Sequence, residues 1–219
     1  MTSPAPALPA APSAAAAVFG DRLPLAERYV ELLAGPGTER GLMGPRETPR
    51  LWERHVLNCV GMAELLAPDE TVLDLGSGAG LPGIPLAIRR PDVSVVLVEA
   101  LLRRATFLSE AVEELGLPNV TVRRARGEEL AKKVEVDVVT ARAVAPLARL
   151  AGWSLPLLRG GGRLIALKGE QAEAELNAAA PGLRKAGAVA WQVVEVGSVD
   201  QQTQARAVVV ERGAVRGRR

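Results

Sequence analysis

From residue 71 to residue 212, short apolar runs typical of strands alternate with amphipathic stretches of helical length. Strand–helix alternation with short connections predicts a parallel, doubly wound sheet with right-handed crossovers. The last two apolar runs have no helix between them and are predicted to pair as an antiparallel hairpin. The sequence therefore predicts an α/β fold with a mostly parallel, seven-stranded sheet and helices on both faces. The predicted strands are 71–75, 94–100, 119–124, 136–142, 161–169, 188–196 and 204–212, and the predicted helices are 101–115, 144–158, 170–186 and one that ends near residue 90.

The residues before this alternation are predicted to form a helical cap. Residues 22–34 carry apolar side chains at helical spacing, and the Gly-Pro-Gly run at 35–37 is predicted to end that helix. A second helix is predicted over 50–66. Residues 1–20, which are rich in alanine and proline, are predicted to be a disordered lead-in. The predicted organisation is a lead-in over 1–20, one domain over 21–212 (helical cap 21–68, core 69–212) and a basic tail over 213–219.

Cysteine, histidine and aromatic counts exclude several kinds of site. The 219 residues include one cysteine and one histidine, so an internal disulfide and a site with several imidazole ligands are both excluded. His55 and Cys59 have the i, i+4 spacing that a metal tolerates, but two ligands make a poor site, and no metal is expected. The alternative is that both side chains are packed in the interior. Aromatic residues make up 3% of the chain, which disfavours recognition of nucleic acid by base stacking.

Charge and hydropathy limit the partners. The 27 basic and 25 acidic residues give a net charge of +2, which is too mild for a dedicated nucleic-acid scaffold, and DNA is not expected as a partner. No apolar run approaches the roughly 20 residues that cross a bilayer, and the first residues lack the features of a signal peptide. A cytoplasmic protein without a membrane partner is therefore expected.

A glycine-rich run follows the first predicted strand and opens a helix, at the sheet edge where open α/β folds bind ligands. Asp74 is followed by glycines at alternate positions, and glycines there let a ligand touch the backbone. The run also matches the dinucleotide fingerprint G-x-G-x-x-G. An aspartate at the turn would repel a pyrophosphate, however, and suits a cation such as a sulfonium. The run therefore favours S-adenosylmethionine over NAD, while a tight turn without a ligand is the structural alternative. Its glycines are Gly76, Gly78, Gly80 and Gly83.

Two further positions at the carboxyl ends of the strands suggest a nucleoside. A carboxylate at Glu99, which ends the second strand, can accept hydrogen bonds from both ribose hydroxyls, although it does not separate the methyl donor from NAD. Its alternative is a solvated charge at a strand end. Gly127 and Glu128 follow the third strand, where backbone amides and an acid would lie near an adenine. Glu128 and Glu129 are also residues that favour a helix start.

Four segments of the chain stand out as a set. They are Arg54-His55-x-x-Asn58, VLDLGSGAGLPGIPLAI over 72–88, VTARAVAPL over 139–147 and IALKG over 165–169. Together they resemble the bacterial 16S ribosomal RNA (guanine-N7) methyltransferase G family, also called the glucose-inhibited division protein B family. The likeness covers residues 22–211. Two positions depart from the family pattern, since Asn58 and Glu99 stand where members commonly have aspartate.

The resemblance implies a Rossmann-like class I methyltransferase that uses S-adenosylmethionine to methylate guanosine N7 in 16S ribosomal RNA, on the small ribosomal subunit or its assembly precursor. It implies that Gly76 and Leu81 line the cofactor pocket, that Gly127 and Glu128 lie near the adenine, and that Arg142 is the arginine that ends the fourth strand. The cofactor-binding residues predicted in all are Asp74, Gly76, Gly78, Gly80, Leu81, Glu99, Gly127, Glu128 and Arg142.

The chemistry of guanine N7 limits what the protein must supply. N7 carries a lone pair and no proton, so methyl transfer needs placement and electrostatic stabilisation rather than a general base. Arg142 and Lys168 end adjacent predicted strands and are predicted to hold the substrate by guanine O6 or a phosphate. The alternatives are a solvated charge for Lys168 and an ion pair with Glu128 or Asp137 for Arg142. With Arg54, the side chains of His55 and Asn58 are predicted to cover the pocket from a substrate-side helix.

Basic residues flank several of these segments. They form either a rim that contacts RNA phosphates or a set of scattered solvated charges, and the sequence leaves both interpretations open. An NAD-dependent oxidoreductase, an RNA-binding module with an inactive pocket and a small-molecule methyltransferase are the other functions considered. The last is the nearest competitor, and only the family resemblance and the basic residues disfavour it. The basic residues are Arg40, Arg46, Arg50, Arg54, Arg103, Arg104, Arg123, Arg124, Arg126, Lys132 and Lys133.

Overall fold

A computed structural model describes residues 8–131, 133–197 and 204–214. Seven strands form one sheet in the order β3-β2-β1-β4-β5-β7-β6. The first five strands are parallel to one another, and β7 is antiparallel to both β5 and β6. The predicted doubly wound, mostly parallel sheet is confirmed. The strands are β1 (Thr71–Leu75), β2 (Ser94–Glu99), β3 (Val120–Arg124), β4 (Val136–Arg142), β5 (Leu158–Lys168), β6 (Ala188–Gly197) and β7 (Gln204–Arg212).

The strand order reverses at β1. The chain moves outward from β1 to β2 and β3, then returns to place β4 on the other side of β1, with Asp74 beside both Leu97 and Thr140. In open α/β sheets this reversal leaves a crevice beyond the carboxyl ends of the central strands. The predicted hairpin of the last two strands also forms. Its second strand inserts between β5 and the first, which the sequence pattern did not specify.

Helices cover both faces of the sheet. They are α1 (Ser13–Phe19), α2 (Leu23–Leu32), α3 (Asn58–Val60), α4 (Gly83–Arg89), α5 (Leu102–Leu115), α6 (Gly127–Leu130), α7 (Leu147–Ser154) and α8 (Ala172–Lys185). One buried cluster lies under α1, α2, α4 and α5, and a second lies under α7 and α8. In the part of the chain that the structure describes, no helix is long and apolar enough to cross a bilayer.

The N-terminal region differs from its prediction in three places. The predicted lead-in contains α1, whose small and apolar side chains Ala15 and Phe19 are buried in the first cluster. The helix predicted to end at 35–37 instead continues through Leu33–Gly37 as a wider π-helical turn. The helix predicted over 50–66 is a run of helical turns of changing pitch between Thr48 and Leu65. Residues 1–7 and 215–219 of the predicted lead-in and tail lie outside the described residues, and the division at 21, 69 and 213 stays a prediction.

Two arginines tie the cap to the sheet. Arg163 on β5 donates to both carboxylate oxygens of buried Glu70, at 2.7 and 2.8 Å, and to the carbonyl of Leu65 at 2.5 Å. Arg90, which follows α4, donates to the carbonyls of Ala63 and Leu66 at 2.9 and 2.8 Å. These contacts satisfy the last carbonyls of the cap. They therefore fix the position of the residues that directly precede β1.

Replacing Phe19 by alanine tests whether α1 belongs to the folded core. Because Phe19 is 5% exposed within the first cluster, Phe19→Ala is expected to lower the free energy of unfolding by about 3 kcal/mol. Exposed Ala16 on the same helix supplies the control. Ala16→Ser is expected to change the free energy of unfolding by less than about 0.5 kcal/mol. Urea unfolding followed by circular dichroism measures both. Equal stability of the two variants would mean that the segment is not packed.

Candidate active site

The turn after β1 is held by backbone bonds to the neighbouring strand. The amides of Gly76 and Ser77 donate to the carbonyl of Val98 on β2, at 2.9 and 3.0 Å. Gly76 has a φ of +71° and Gly80 a φ of +100°, a left-handed conformation that favours glycine. A side chain at Gly80 would also lie 2.5 Å from Ile84. The alternate glycines are therefore required by the path of the chain between β1 and α4.

Asp74 lies beneath this turn. Its side chain is fully buried, and its Oδ2 accepts a hydrogen bond from the amide of Gly83 at 3.0 Å, at the start of α4. Its Oδ1 is buried and has no partner among the described residues. Burial raises the pKa of Asp74 to about 7, although the Gly83 bond lowers it. A direct contact of this carboxylate with a sulfonium was expected, but its position under the turn gives it a role in holding the turn.

Two cavities meet at the carboxyl end of β1. The first has a volume of about 340 Å³, and the second of about 150 Å³. Gly76, Glu99 and Val144 line both. Most of the predicted cofactor residues lie on one or the other, while Asp74 and Gly80 are not among their lining residues. On the first are Gly78, Leu81 and Arg142, and on the second are Gly127 and Glu128.

Glu99 stands between the two cavities with its carboxylate held in place. It is buried, its Oε2 accepts from the amide of Gly78 at 3.1 Å, and its Oε1 accepts from the amide of Leu101 at 2.9 Å. Arg104 lies 3.8 Å from Oε2. A solvated strand-end charge, the alternative for Glu99, is therefore wrong. The carboxylate bridges the glycine turn and the start of α5 at the junction of the cavities.

Sequence reasoning missed the apolar lining of the second cavity. Leu75, Val98, Ala125 and Trp153 make it a narrow apolar slot beside Gly127. A Cβ at Gly127 would lie 2.8 Å from Leu75, so glycine is what lets this loop approach β1. The apolar ends of two strands were visible in the sequence. Trp153 was not assigned, because its contact with these strand ends arises only when α7 packs on the sheet.

A third cavity, of about 490 Å³, collects the residues predicted to hold a substrate. It is lined by cap residues and by the ends of β4 and β5. Arg142 also lines the first cavity, so its side chain lies at the boundary between the two spaces. The lining residues are Arg54, His55, Asn58, Arg142, Ala143, Leu167, Lys168 and Gly169.

Arg142 is held by neutral acceptors. Its Nη2 donates to Nδ1 of His55 at 2.9 Å, and its Nη1 donates to the carbonyl of Arg54 at 3.4 Å. The alternative ion pair with Asp137 is wrong, because Asp137 pairs with Arg159 and accepts from the amide of Thr71. Among the ion pairs of the described residues none involves Arg142, so the pair with Glu128 is also absent. The positive charge therefore remains uncompensated at the cavity boundary.

Lys168, which also lines the third cavity, is held by two contacts. Its Nζ lies 2.9 Å from Oε1 of Glu175 and donates to the carbonyl of Ala145 at 3.3 Å. The same Glu175 oxygen accepts from the amide of Leu147, the first residue of α7. The alternative of a charge that simply reaches solvent is therefore wrong. Lys168 reaches the cavity as one half of an ion pair.

His55 and Cys59 have different environments. Nε2 of His55 lies 2.7 Å from Oε2 of Glu47, and burial lowers the pKa of His55 although Glu47 raises it. Burial raises the pKa of the Cys59 thiol to about 12, so it stays protonated. Asn58 donates to the carbonyl of Arg54 at 3.4 Å, and its Oδ1 is buried without a partner among the described residues. No group of three metal-ligating side chains occurs within the described ranges.

Ala143 connects these spaces through an unusual backbone conformation. Its φ is +55°, a left-handed value that costs an alanine roughly 1–2 kcal/mol. The residue lines the first and third cavities, while Val144, the next residue, lines the first and second. Such strain persists where the surroundings impose it, and it is common at ligand sites. All three cavities therefore meet at the segment that follows β4.

Comparison with known proteins shows the same family over most of the chain. The family model for rRNA small subunit methyltransferase G (GidB) matches residues 22–204. A protein named ribosomal RNA small subunit methyltransferase G from Streptomyces avermitilis is 59% identical over 191 residues, which are 87% of this chain and 80% of that protein. One of the same name from Thermobifida fusca is 57% identical over 199 residues, or 90% and 84% of the two chains. The resemblance stated from the sequence is confirmed.

Solved structures support the fold. The crystal structure of M. jannaschii TYW2 in complex with AdoMet has a TM-score of 0.59 at 18% identity, over 75% of this chain and 78% of that one. A methyltransferase from Pyrococcus furiosus has a TM-score of 0.56 at 17% identity, over 70% and 80%. The predicted class I methyltransferase fold is thus confirmed.

The pKa of Asp74 predicts a pH dependence of stability. Its value of about 7 in the folded chain lies above the ordinary 3.8, so the folded state binds more protons than the unfolded state between these values. This contribution to stability is complete below about pH 4 and falls as pH rises to 7, by at most about 1.4 kcal/mol per pH unit. The variant Asp74→Asn cannot titrate at this position. The free energy of unfolding of the wild type minus that of Asp74→Asn, measured across this pH range, therefore isolates the contribution of Asp74. A difference that rises with pH would contradict this assignment.

The close packing of Gly83 against Asp74 generates a second prediction. A Cβ at Gly83 would lie 2.3 Å from Cδ2 of Leu97 and 2.8 Å from Oδ2 of Asp74, so Gly83→Ala is expected to destabilise by about 2–3 kcal/mol. A Cβ at Gly152 in α7 would meet no atom of the described residues within 4 Å, so this glycine serves as the control. Gly152→Ala is expected to stabilise by about 0.5–1 kcal/mol. Urea unfolding measures both, and equal effects would show that the turn has room for a methyl group.

Proposed function

Because this chain belongs to the rRNA small subunit methyltransferase G family, we propose that its cleft methylates N7 of a guanosine in 16S ribosomal RNA. Family membership makes the chain an rRNA methyltransferase that depends on S-adenosylmethionine. The small ribosomal subunit or its assembly precursor is the partner that we propose. A ribosomal substrate also favours a cytoplasmic location.

The two joined cavities suit S-adenosylmethionine by shape and chemistry. The apolar slot beside Gly127 and Trp153 suits an adenine, because both faces of a purine are apolar. The fixed carboxylate of Glu99 suits the two ribose hydroxyls as an acceptor. The larger cavity, lined by Gly78 and Arg104, offers a glycine that leaves the backbone accessible and a cation for the methionine end. When bound, the cofactor supplies a methyl group on a sulfonium.

The position of Arg142 is the observation that carries this proposal. Its side chain lines both the first cavity and the third, so these spaces adjoin through it. Lys168 lines the third cavity together with the cap residues Arg54 and His55. Two cations are well suited to donate to guanine O6 or to a phosphate, and the lone pair of N7 stays free. We therefore assign the third cavity to the guanosine.

The described residues that line the third cavity offer no carboxylate and no free imidazole as a base, which agrees with this chemistry. Both ring nitrogens of His55 are engaged, one by Arg142 and the other by Glu47. The thiol of Cys59 is buried, and burial raises its pKa to about 12. Methylation of N7 removes no proton, so the residues have to orient the guanosine, exclude water and stabilise the changing charge.

Exposed arginines around the cleft support an RNA partner. Arg104 lines the first cavity, Arg126 the second and Arg54 the third. Arg40 is paired with Glu110, and Lys132 lies outside the described residues. Of the basic residues predicted to form the rim, the arginines that are exposed and form no ion pair within the described ranges are Arg46, Arg50, Arg103, Arg123, Arg124 and Arg126. Their number supports RNA binding that weakens with added salt. A small-molecule substrate would not require this rim.

Methyl transfer to ribosomal RNA tests the function. Small subunits from a strain that lacks this enzyme are incubated with the protein and methyl-labelled S-adenosylmethionine, and the modified base is mapped. We expect one 7-methylguanosine in 16S rRNA. Because Lys168 is proposed to contact the substrate, Lys168→Ala is expected to lower the rate by roughly 10- to 100-fold, the worth of a charge-assisted hydrogen bond.

Exposed Lys185, at the end of α8, provides the matched control. Lys185→Ala removes the same charge far from the strand ends and is expected to leave the rate unchanged. A rate for Lys168→Ala within a factor of two of wild type would exclude its role in holding substrate. Labelling of another base, or none in 16S rRNA, would overturn the proposed function.

A further inference from the structure

We infer that Glu47 is a positioning residue, which acts through His55 to hold the guanidinium of Arg142 at the boundary between the cofactor and guanosine cavities. This inference deepens the proposed function and rests on it for the role of Arg142. Glu47 precedes the turn Thr48–Arg50 and is not among the lining residues of the third cavity. Its Oε2 reaches the site through the imidazole of His55, while its Oε1 lies 3.8 Å from Nη1 of Arg54, an exposed arginine that lines the third cavity.

Three side chains form a continuous row of hydrogen bonds. Oε2 of Glu47 lies 2.7 Å from Nε2 of His55, and Nδ1 of His55 lies 2.9 Å from Nη2 of Arg142. The imidazole is almost fully enclosed, with 11% of its side chain exposed, so its ring cannot turn freely. The row joins the cap to the end of β4, two elements that are far apart in sequence.

The chemistry of the three groups fixes the direction of every bond. A guanidinium only donates, so Nδ1 of His55 must carry a lone pair. In the neutral ring the proton then lies on Nε2, which donates to the carboxylate of Glu47. Glu47 thereby selects the ring orientation that presents Nδ1 to Arg142. Such support of one side chain by the next is how sites keep a productive geometry.

The charges around His55 explain why the ring is neutral in this arrangement. Arg142 and Arg54 lower the pKa of His55, as burial does, while Glu47 raises it. Lys168 lines the same cavity, and Cys59 on the next turn is protonated. A proton on Nδ1 would remove the acceptor of Arg142 and place two cations together. Acid is therefore expected to release Arg142.

The chain has one histidine, so its imidazole signal needs no assignment. We propose ¹H–¹⁵N correlation spectra of the full chain, prepared without a histidine tag and without cofactor. Between pH 7 and 8 they are expected to show the neutral tautomer with the proton on Nε2. In Glu47→Gln the imidazole should titrate at lower pH, because the neutral amide no longer favours the imidazolium. A ring with its proton on Nδ1, or in fast exchange between tautomers, would overturn the inference.

Isosteric variants separate the two contacts of the imidazole. Asparagine places an amide oxygen near the position of Nδ1 and keeps an acceptor for Arg142, whereas glutamine places its amide near Nε2. His55→Asn is therefore expected to retain at least several-fold more kcat/KM toward ribosomal RNA than His55→Gln. The reverse order would contradict the inference, because activity would then depend on the contact with Glu47 and not on the acceptor for Arg142.

Variants of Glu47 complete the test. Glu47→Ala is expected to lower kcat/KM by roughly 10- to 100-fold through misplacement of Arg142. Glu47→Gln still accepts a hydrogen bond from His55, so at pH 8 it should retain most of the wild-type kcat/KM. Glu53→Gln on the following turn removes an exposed acid and is the control. The acid limb of the wild-type pH profile should share its midpoint with the imidazole titration, and different midpoints would contradict the inference. An inactive wild type with the Nε2–H tautomer would refute the proposed function alone.

Discussion

The buried contact between the Asp74 carboxylate and the Gly83 amide determines how β1 passes into α4. One oxygen caps the first turn of the helix, while Gly76 and Ser77 are bonded to β2. With both ends held, the backbone between them forms a tight loop, and its Gly76 and Gly78 line the first cavity. Glu99 accepts a hydrogen bond from the amide of Gly78, and this bond holds its carboxylate at the junction of two cavities. The geometry of the proposed cofactor site thus starts from a side chain that does not line it.

The sequence was most informative where one physical signal dominated. Short apolar runs that are bounded by turn residues are typical of buried strands, and β1, β4 and β7 have the predicted bounds. The cap was less predictable. Helical periodicity identified its two helices, but it did not predict the change of pitch through Leu33–Gly37, which contains Pro36, or through Leu51–Leu57. The alanine-rich composition of residues 13–19 suggested disorder, yet small side chains also let a short helix pack closely on a neighbour.

Positions at strand ends explain which site residues were predictable. Glu99, Arg142 and Lys168 end strands of a parallel sheet, so their convergence at one edge follows from topology alone. Trp153 and Glu47 come from elements whose approach to that edge depends on tertiary packing, and no spacing in the sequence reveals it. Asp74 lies in the predicted glycine-rich segment, but the structure gives it a different role from the one that its charge suggested. Its charge suggested contact with a ligand, whereas burial turns it toward the backbone.

The left-handed residue Ala143 has a consequence for thermodynamics. It lies between Arg142, which lines the first and third cavities, and Val144, which lines the first and second, so the cavities proposed for the cofactor and for the guanosine share one wall. If one ligand moves the backbone around Ala143, the space available to the other ligand changes. Linkage then requires reciprocity. A cofactor bound in its proposed cavity would change the affinity for RNA by the same factor by which bound RNA changes the affinity for the cofactor.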